Sequence, residues 1–328
     1  MSSTAASNRS AGIAAGLIAA VAFATSGPVV KPLLVAGWSP GSAILVRLSV
    51  AAVLLAGPAA WALRGRFGVL RDEWRIVLGF GVLGVATAST MYFLAVDRLP
   101  VAVALLIEYT GPLLLVAWRW ARGRQAPSRA TLAGAALATG GLVLVLDLTG
   151  SLQLDPLGLV FAVLSAIGNA AFFAFTGIRT ELPAISLAGA GMAVGALTVT
   201  LVAAAGVLPL AAPDVRVSLL GAQVHWIVPL LVVATVPTAF AYGVSTLAVR
   251  LLGERLASFL ALTEVLVAVL LAWALVGEAP LPMQIAGMVL VVAGIALVRR
   301  GTDAPEPEPE PAVVTLPARA VVDAPAAC

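Results

Sequence analysis

Charge is scarce in this sequence. Only 11% of its 328 residues are Asp, Glu, Lys or Arg, 61% are hydrophobic, and the mean hydropathy is +1.06. Soluble domains carry about twice that share of charge, so a water-soluble globule is excluded. Cysteine is almost absent, and the one present, Cys328, is the last residue. That excludes a disulfide framework and a C-a-a-X box. Histidine also occurs once, at His225. With no H-E-x-x-H, no P-loop and no clustered metal ligands, no catalytic constellation can be assembled, and neither an enzyme nor a cofactor is expected. The alternating ten-residue segments of a membrane barrel are missing as well.

What the chain does have is about ten apolar segments of membrane length, at 12–36, 40–63, 75–96, 100–120, 128–147, 156–178, 184–209, 224–248, 253–276 and 281–299. Each is long enough at 1.5 Å per residue to cross a hydrocarbon core about 30 Å thick. The expected fold is therefore all-α, a polytopic membrane protein of ten transmembrane helices with lipid as its surroundings and a monomer as the working assembly. A first apolar run reaching Val35 is too long for a signal peptide, although Ala22-Phe23-Ala24 imitates a cleavage site, so a retained first helix is expected. The Pro/Glu/Ala-rich tail at 301–328 cannot bury enough apolar area to order itself and is read as a disordered cytoplasmic end.

The net charge of +3 and pI near 9.6 do not mean nucleic acid, because the basic residues lie at segment boundaries and not in one patch. Placing the N-terminus in the cytoplasm puts nearly all the loop arginines inside and leaves only Arg98 and Arg216 outside. The positive-inside rule then gives an even number of helices with both termini in the cytoplasm, in the inner membrane.

The chain divides near 148–156 into two five-helix halves, 12–147 and 156–299. Gly134 and Gly141 in the first recur as Gly287 and Gly294 in the second, with the same seven-residue spacing. Each pair marks a small-residue stripe suited to close helix packing. The 64–75 and 119–129 loops hold eight arginines, whereas the corresponding loops of the second half hold only Arg216. Similar halves with reversed charge bias predict inverted repeats with a substrate site near the midplane between them.

LAVDRLPVAVALLIEYTGPLLLVAW, then a basic loop and a glycine-containing helix, resembles the fourth and fifth helices of EamA-domain proteins in the drug/metabolite transporter superfamily. The E-x-T-G-P stretch is similar to that of the threonine/homoserine exporter type. PTAFAYGVSTLAVRLLGERLASFLALTEVLVAVLLAWALVGE followed by QIAGMVLVVAGIALV resembles the second repeat, and AFATSGPVVKPLL with Arg47 resembles the opening pair of helices. The resemblance spans residues 12–299. It implies ten helices in two inverted repeats around a central cavity, and export of amino acids or other small metabolites. Many second repeats place proline after the helix-nine glutamate, but here Val265 follows Glu264.

The residues that could carry chemistry are polar groups at bilayer depth. Glu108 and Glu264 lie near the middle of their segments, where a carboxylate costs at least about 2.5–3.5 kcal/mol and so faces a partner or water. Either could bind a substrate amine or carry a coupled proton; a structural hydrogen-bonding role is the alternative. Glu108 and Pro112 share a helix face, while Tyr109 points elsewhere. Ser26 lies in Thr25-Ser26-Gly27-Pro28, where proline frees backbone carbonyls that open onto a cavity or serve packing. Tyr92, Asn169, Thr238 and Tyr242 are further candidates for substrate contact, against the ordinary reading that such groups bond their own or a neighbouring helix. Lys31 and Arg47 either snorkel or pair with carboxylates, and Arg47 could instead bind a substrate carboxylate through its fork. Trp38, Trp61, Trp74, Trp118, Trp120 and Trp226 read as interfacial anchors. Export of small polar metabolites leads this reading; a drug or nucleotide-sugar carrier, and a lipid-handling or interaction protein without solute transport, stand beside it.

Overall fold

The structure, a computed structural model, describes residues 2–111, 114, 120–121, 128–146, 154–219, 221–261 and 263–301. Pro112, Trp118, Arg119, Arg122, Arg124, the centre of the 148–156 division and nearly all of the 301–328 tail lie outside the described residues. The described chain is mostly helical. Six stretches are helical, long and apolar enough to cross a membrane: Ser10–Val35, Pro40–Leu63, Trp74–Arg98, Pro156–Thr176, Ala184–Ala204 and Ile227–Gly253.

Local chemistry sets where these helices begin, bend and end. The first span consists of α1 (Ser2–Ala24) and α2 (Ser26–Val35), which meet at Thr25, whose hydroxyl donates to Ala22 O at 2.7 Å. Pro28 and Pro32 have no amide to donate, so the ladder is weakest here. The next helix, α3 (Pro40–Leu63), starts on an N-cap, because Ser39 Oγ accepts from Ser42 N at 3.2 Å and Pro40 takes the first turn. After the short α4 (Gly68–Asp72), the third span is α5 (Trp74–Gly79), a π-helical stretch at Phe80–Thr87 and α6 (Ala88–Arg98). Then come α7 (Val101–Glu108), α8 (Arg129–Leu146), α9 (Pro156–Thr176) and α10 (Ala184–Ala204). The last part contains α11 (Ile227–Ala234), a second π-helical stretch at Thr235–Phe240 around Pro237, α12 (Ala241–Leu260), α13 (Thr263–Val276) and α14 (Pro282–Gly301).

Two expected spans are interrupted. The helix expected at 100–120 stops at Glu108, where Tyr109 and Thr110 form a turn. The one expected at 253–276 starts at a kink, as its bound implies, and is broken once inside. Gly253 takes φ +79, a conformation that side chains with a Cβ rarely adopt, and Ala261 is in a turn just before Glu264. The helices α8 and α14 pack on the predicted glycine stripes. A Cβ on Gly141 would come within 2.6 Å of Gly287 O, and one on Gly294 would meet Gly134 O at 2.5 Å.

The all-α expectation missed one element. The segment expected to be helical from 184 to 209 ends at Ala204, and an antiparallel hairpin of β1 (Arg216–Leu219) and β2 (Ala222–His225) precedes α11. Its signal was in the sequence, where RVSL and AQVH flank a turn at Gly221 with φ +78. Trp38 is not an interfacial anchor. It is buried, donates from Nε1 to Pro213 O at 2.9 Å and packs at a tilt against Trp226 with ring centroids 5.0 Å apart, so it moors the segment that leads into the hairpin. Trp61, Trp74, Trp120 and Trp273 are exposed, as anchors would be. The core lies among α2, α3, α6, α7 and α10, where Leu33, Ile44, Leu48, Phe93, Leu106 and Met192 are fully buried.

Candidate functional site

A cavity opens at the centre of the bundle where the helix irregularities meet. It is lined from α1 and α2 (Gly16, Phe23, Ser26), α3 (Arg47), α6 (Ser89, Tyr92), α7 and its turn (Leu105, Glu108, Tyr109), α9 (Asn169, Phe172, Phe173), α12 (Tyr242, Ser245) and α13 (Glu264). About 80 Å³ of it is open to the centres of water-sized molecules. Since one water needs roughly 10–15 Å³ on that measure, the space holds several waters or one small metabolite. Both π-helical stretches lie in spans that contribute to the wall, and π-helical turns commonly mark functional positions.

The charged groups are held apart. Arg47 is buried, and its Nε donates to Thr238 Oγ1 at 2.6 Å while Nη1 donates to Ser26 Oγ at 3.2 Å. Its guanidinium also lies over the Phe93 ring at 5.0 Å. Thr238 itself donates to Val233 O at 2.6 Å, a carbonyl five residues back that the π-helical geometry leaves in reach. Glu264 is buried and accepts a hydrogen bond from the Tyr109 hydroxyl. Glu108 is flanked by Ser165 and Asn169 of α9. Ser165 donates to Ala88 O at 3.1 Å, and Asn169 Oδ1 is buried with no hydrogen-bond partner among the described residues. Arg47 makes no ion pair within 4.0 Å among the described residues, although both glutamates are close enough to feel its charge. Aromatic rings form the rest of the wall. Tyr242 sits edge-on to Phe23 at 5.1 Å and to Phe172 at 5.4 Å, with its hydroxyl 3.4 Å from Ser89 Oγ.

Six of the seven residues singled out for substrate contact meet here: Ser26, Tyr92, Glu108, Asn169, Tyr242 and Glu264. Thr238 is buried behind Arg47 and holds it in place. Two further polar groups of the lining, Tyr109 and Arg47, were either passed over or left undecided by the sequence. Tyr109 does point away from Glu108, but the turn there aims it at Glu264, a contact 155 residues distant that helix geometry alone does not supply. Arg47 is neither snorkelling nor ion-paired; its sequence signal was an arginine two turns inside an apolar helix. Lys31 is paired, 3.9 Å from Glu278 Oε1. The lone histidine lies outside the cavity, with Nε2 2.9 Å from Asp214 Oδ1.

A bundle of membrane-length helices around a polar central cavity is the architecture of a transporter of small solutes. The pattern of the EamA-like transporter family matches residues 10–147 and 156–300, and the chain belongs to that family. Its members are membrane transporters and not enzymes. No curated protein matches the chain. Twelve solved chains do. One of them, described as "Crystal structure of protein", is 20% identical, covers 90% of this chain and 99% of its own, and superposes with a TM-score of 0.61. At that identity the likeness concerns the fold.

Proposed function

We propose that the chain is a secondary exporter of small zwitterionic metabolites, amino acids above all, of the threonine/homoserine exporter type. One observation carries the reading: a buried guanidinium and two carboxylates line a single small cavity without bridging one another. A zwitterion complements that arrangement. Its carboxylate would take the free N–H groups of Arg47, and its ammonium would take Glu108 and the unpartnered Asn169 Oδ1. Ser26, Tyr92, Tyr242, Thr238 and Glu264 complete or support the site. With no nucleotide-binding motif a gradient must drive export, and Glu108 or Glu264 would carry the coupled proton. An apolar drug or a nucleotide sugar fits a space of this size and charge less well.

Ten helices in two inverted five-helix repeats, 12–147 and 156–299, suit this function by alternating access. Reciprocity between α8 and α14 supports the repeat. Adding 153 to Gly134, Ala138 and Gly141 gives Gly287, Val291 and Gly294, and the close approaches of Gly141 to Gly287 and Val291 are mirrored by those of Gly294 to Gly134 and Ala138. Two antiparallel helices that exchange in this way are related by an axis perpendicular to both, which lies in the membrane plane. A π-helical stretch in the third span of each half argues the same way. The same shift sets Glu108 opposite Ala261 and Glu264 opposite Gly111, so the two carboxylates flank corresponding helix breaks from opposite sides. Both termini in the cytoplasm of the inner membrane, and a monomer, follow from the arginine bias and the central site.

Proteoliposome flux with a panel of amino acids, organic cations and nucleotide sugars tests the reading. Uptake driven by a proton gradient for amino acids, lost on esterifying the carboxylate or acylating the amine, is expected. Cations transported in place of zwitterions would overturn it. Reactivity of a cysteine at position 123 from outside the cell would overturn the topology.

A further inference from the structure

At one end of the bundle several segments are tied together by a charge pair that does not line the cavity. Lys31, near the end of α2, donates from Nζ to Val96 O at 2.5 Å and to Leu99 O at 2.9 Å. Those carbonyls belong to the last turn of α6 and the residue after it, which a helix leaves unpaired and which attract a cation. The Lys31 ammonium is also 3.9 Å from Glu278 Oε1, and the other Glu278 oxygen, Oε2, accepts from Val101 N at 2.9 Å. Val101 is the first residue of α7, where an unpaired amide and the helix dipole favour a carboxylate. Thus one pair satisfies the end of α6 and the start of α7, and joins them to the connection between α13 and α14. Asp97 is the other acid close enough to feel Lys31.

Two features distinguish this from an ordinary surface bridge. First, the side chains are 13% and 23% exposed, against 39% and 33% for the Arg98–Asp155 pair nearby, so the contact is partly shielded yet still reached by water. Beside it lies a hollow of about 410 Å³ lined by Pro100, Val103, Leu106, Pro280 and Met288, which leaves the segment room to shift without repacking a dense core. Second, the pair stands where two short rods converge. The helix α7 runs eight residues, roughly 10 Å, from Val101 at the pair to Glu108 at the cavity. The helix α13 runs from Thr263, next to Glu264, to Val276, and a turn at Gly277 (φ +80) delivers Glu278. Each cavity glutamate therefore sits at one end of a rod whose other end is at the pair. The cavity lining, by contrast, extends the other way, back along α1 to Gly16 and along α12 to Ala248 and Ala257.

We propose that Lys31 and Glu278 form the latch of a gate that closes the cavity at the hairpin end, and that α7 and α13 couple the latch to the two cavity glutamates. The proposal rests on the transport reading but not on which solute is carried. Its test needs no substrate, so a failure of the zwitterion assignment would leave the result interpretable. In a Cys328→Ser background, Leu105→Cys reports the cavity wall nearest the latch and Ser245→Cys the wall on the opposite side. A membrane-impermeant methanethiosulfonate is applied to right-side-out and to inside-out vesicles. Lys31→Met and Glu278→Ala should raise labelling of Leu105→Cys from the latch face on the order of tenfold, the change expected for losing one charge-assisted contact. They should lower labelling of Ser245→Cys from the opposite face by a smaller factor, since the ratio of the two populations changes about tenfold in all. Glu278→Gln, which keeps an acceptor for Val101 N but loses the charge, should fall between. General loosening would raise labelling at both sites, and that outcome, or unchanged labelling in folded variants, would overturn the latch. Glu108→Gln and Glu264→Gln should each shift the same two rates with Lys31 and Glu278 intact; unchanged rates in both would overturn the coupling.

Discussion

Replacing Arg47 separates a recognition group from a structural one. A guanidinium has five N–H donors, and Arg47 spends one on Thr238 at 2.6 Å and one on Ser26 at 3.2 Å. Three remain to face the cavity, enough for a two-point grip on a carboxylate. A hydrogen bond to a charged partner contributes about 1.5–3 kcal/mol net. Arg47→Lys keeps the charge but not the fork, so losing one such bond should raise the half-saturating substrate concentration roughly 10- to 150-fold. Arg47→Met should do at least as much. Stability should respond differently. Among the described residues the partners of Arg47 are hydroxyls, Thr238 keeps its bond to Val233 O at 2.6 Å, and removing a buried charge that has no ionic partner relieves its desolvation. Thermal midpoints of the purified variants in detergent should therefore stay within a few degrees of the parent. The assay is flux of labelled amino acid into proteoliposomes across a substrate series, alongside thermal unfolding of the same preparations. Arg47→Met protein that transports with an unchanged half-saturating concentration, or that melts far below the parent, would refute the argument and make Arg47 a scaffold residue.

Three further outcomes are expected. Glu108→Gln should fold and express normally yet lose most flux or its pH dependence, whereas unchanged flux with unchanged pH dependence would return Glu108 to a structural role. Gly294→Val places branched carbon against the backbone of Gly134 and Ala138, and overpacking of this kind costs about 1–3 kcal/mol, read as a lowered melting temperature; Leu281→Val, at an exposed position, should melt like the parent. The Asp155 carboxyl is held below the ordinary aspartate range by the Arg98 guanidinium at 2.7 Å and by the Leu157 amide at the start of α9. A depressed pKa means that its stabilisation is present near neutrality and fades as the pH falls below about 4. Asp155→Asn, which can still cap the helix, should lower the midpoint slightly at pH 7 and by less at pH 3.

The sequence by itself determined that this chain lives in a membrane, because 61% hydrophobic and 11% charged residues leave no other solvent for it. It also picked out most of the polar groups of the cavity wall, since a carboxylate, an amide or a phenol inside an apolar helix must face something polar. That reasoning located Glu108, Glu264, Asn169 and Tyr242 without a single tertiary contact. It could not locate Tyr109, whose partner Glu264 lies 155 residues away, and it left Arg47 and Lys31 undecided between lipid interface and interior. Snorkelling and burial differ only in which neighbours surround the side chain. Tertiary packing settled both, by bringing Thr238 to Arg47 and Glu278 to Lys31. Packing also decided that Trp38 is buried under a hairpin and that helix breaks fall beside both glutamates. Composition and periodicity are local properties and report which solvent each face requires; the pairing of distant groups depends on how helices cross, and that is fixed only when the whole bundle closes.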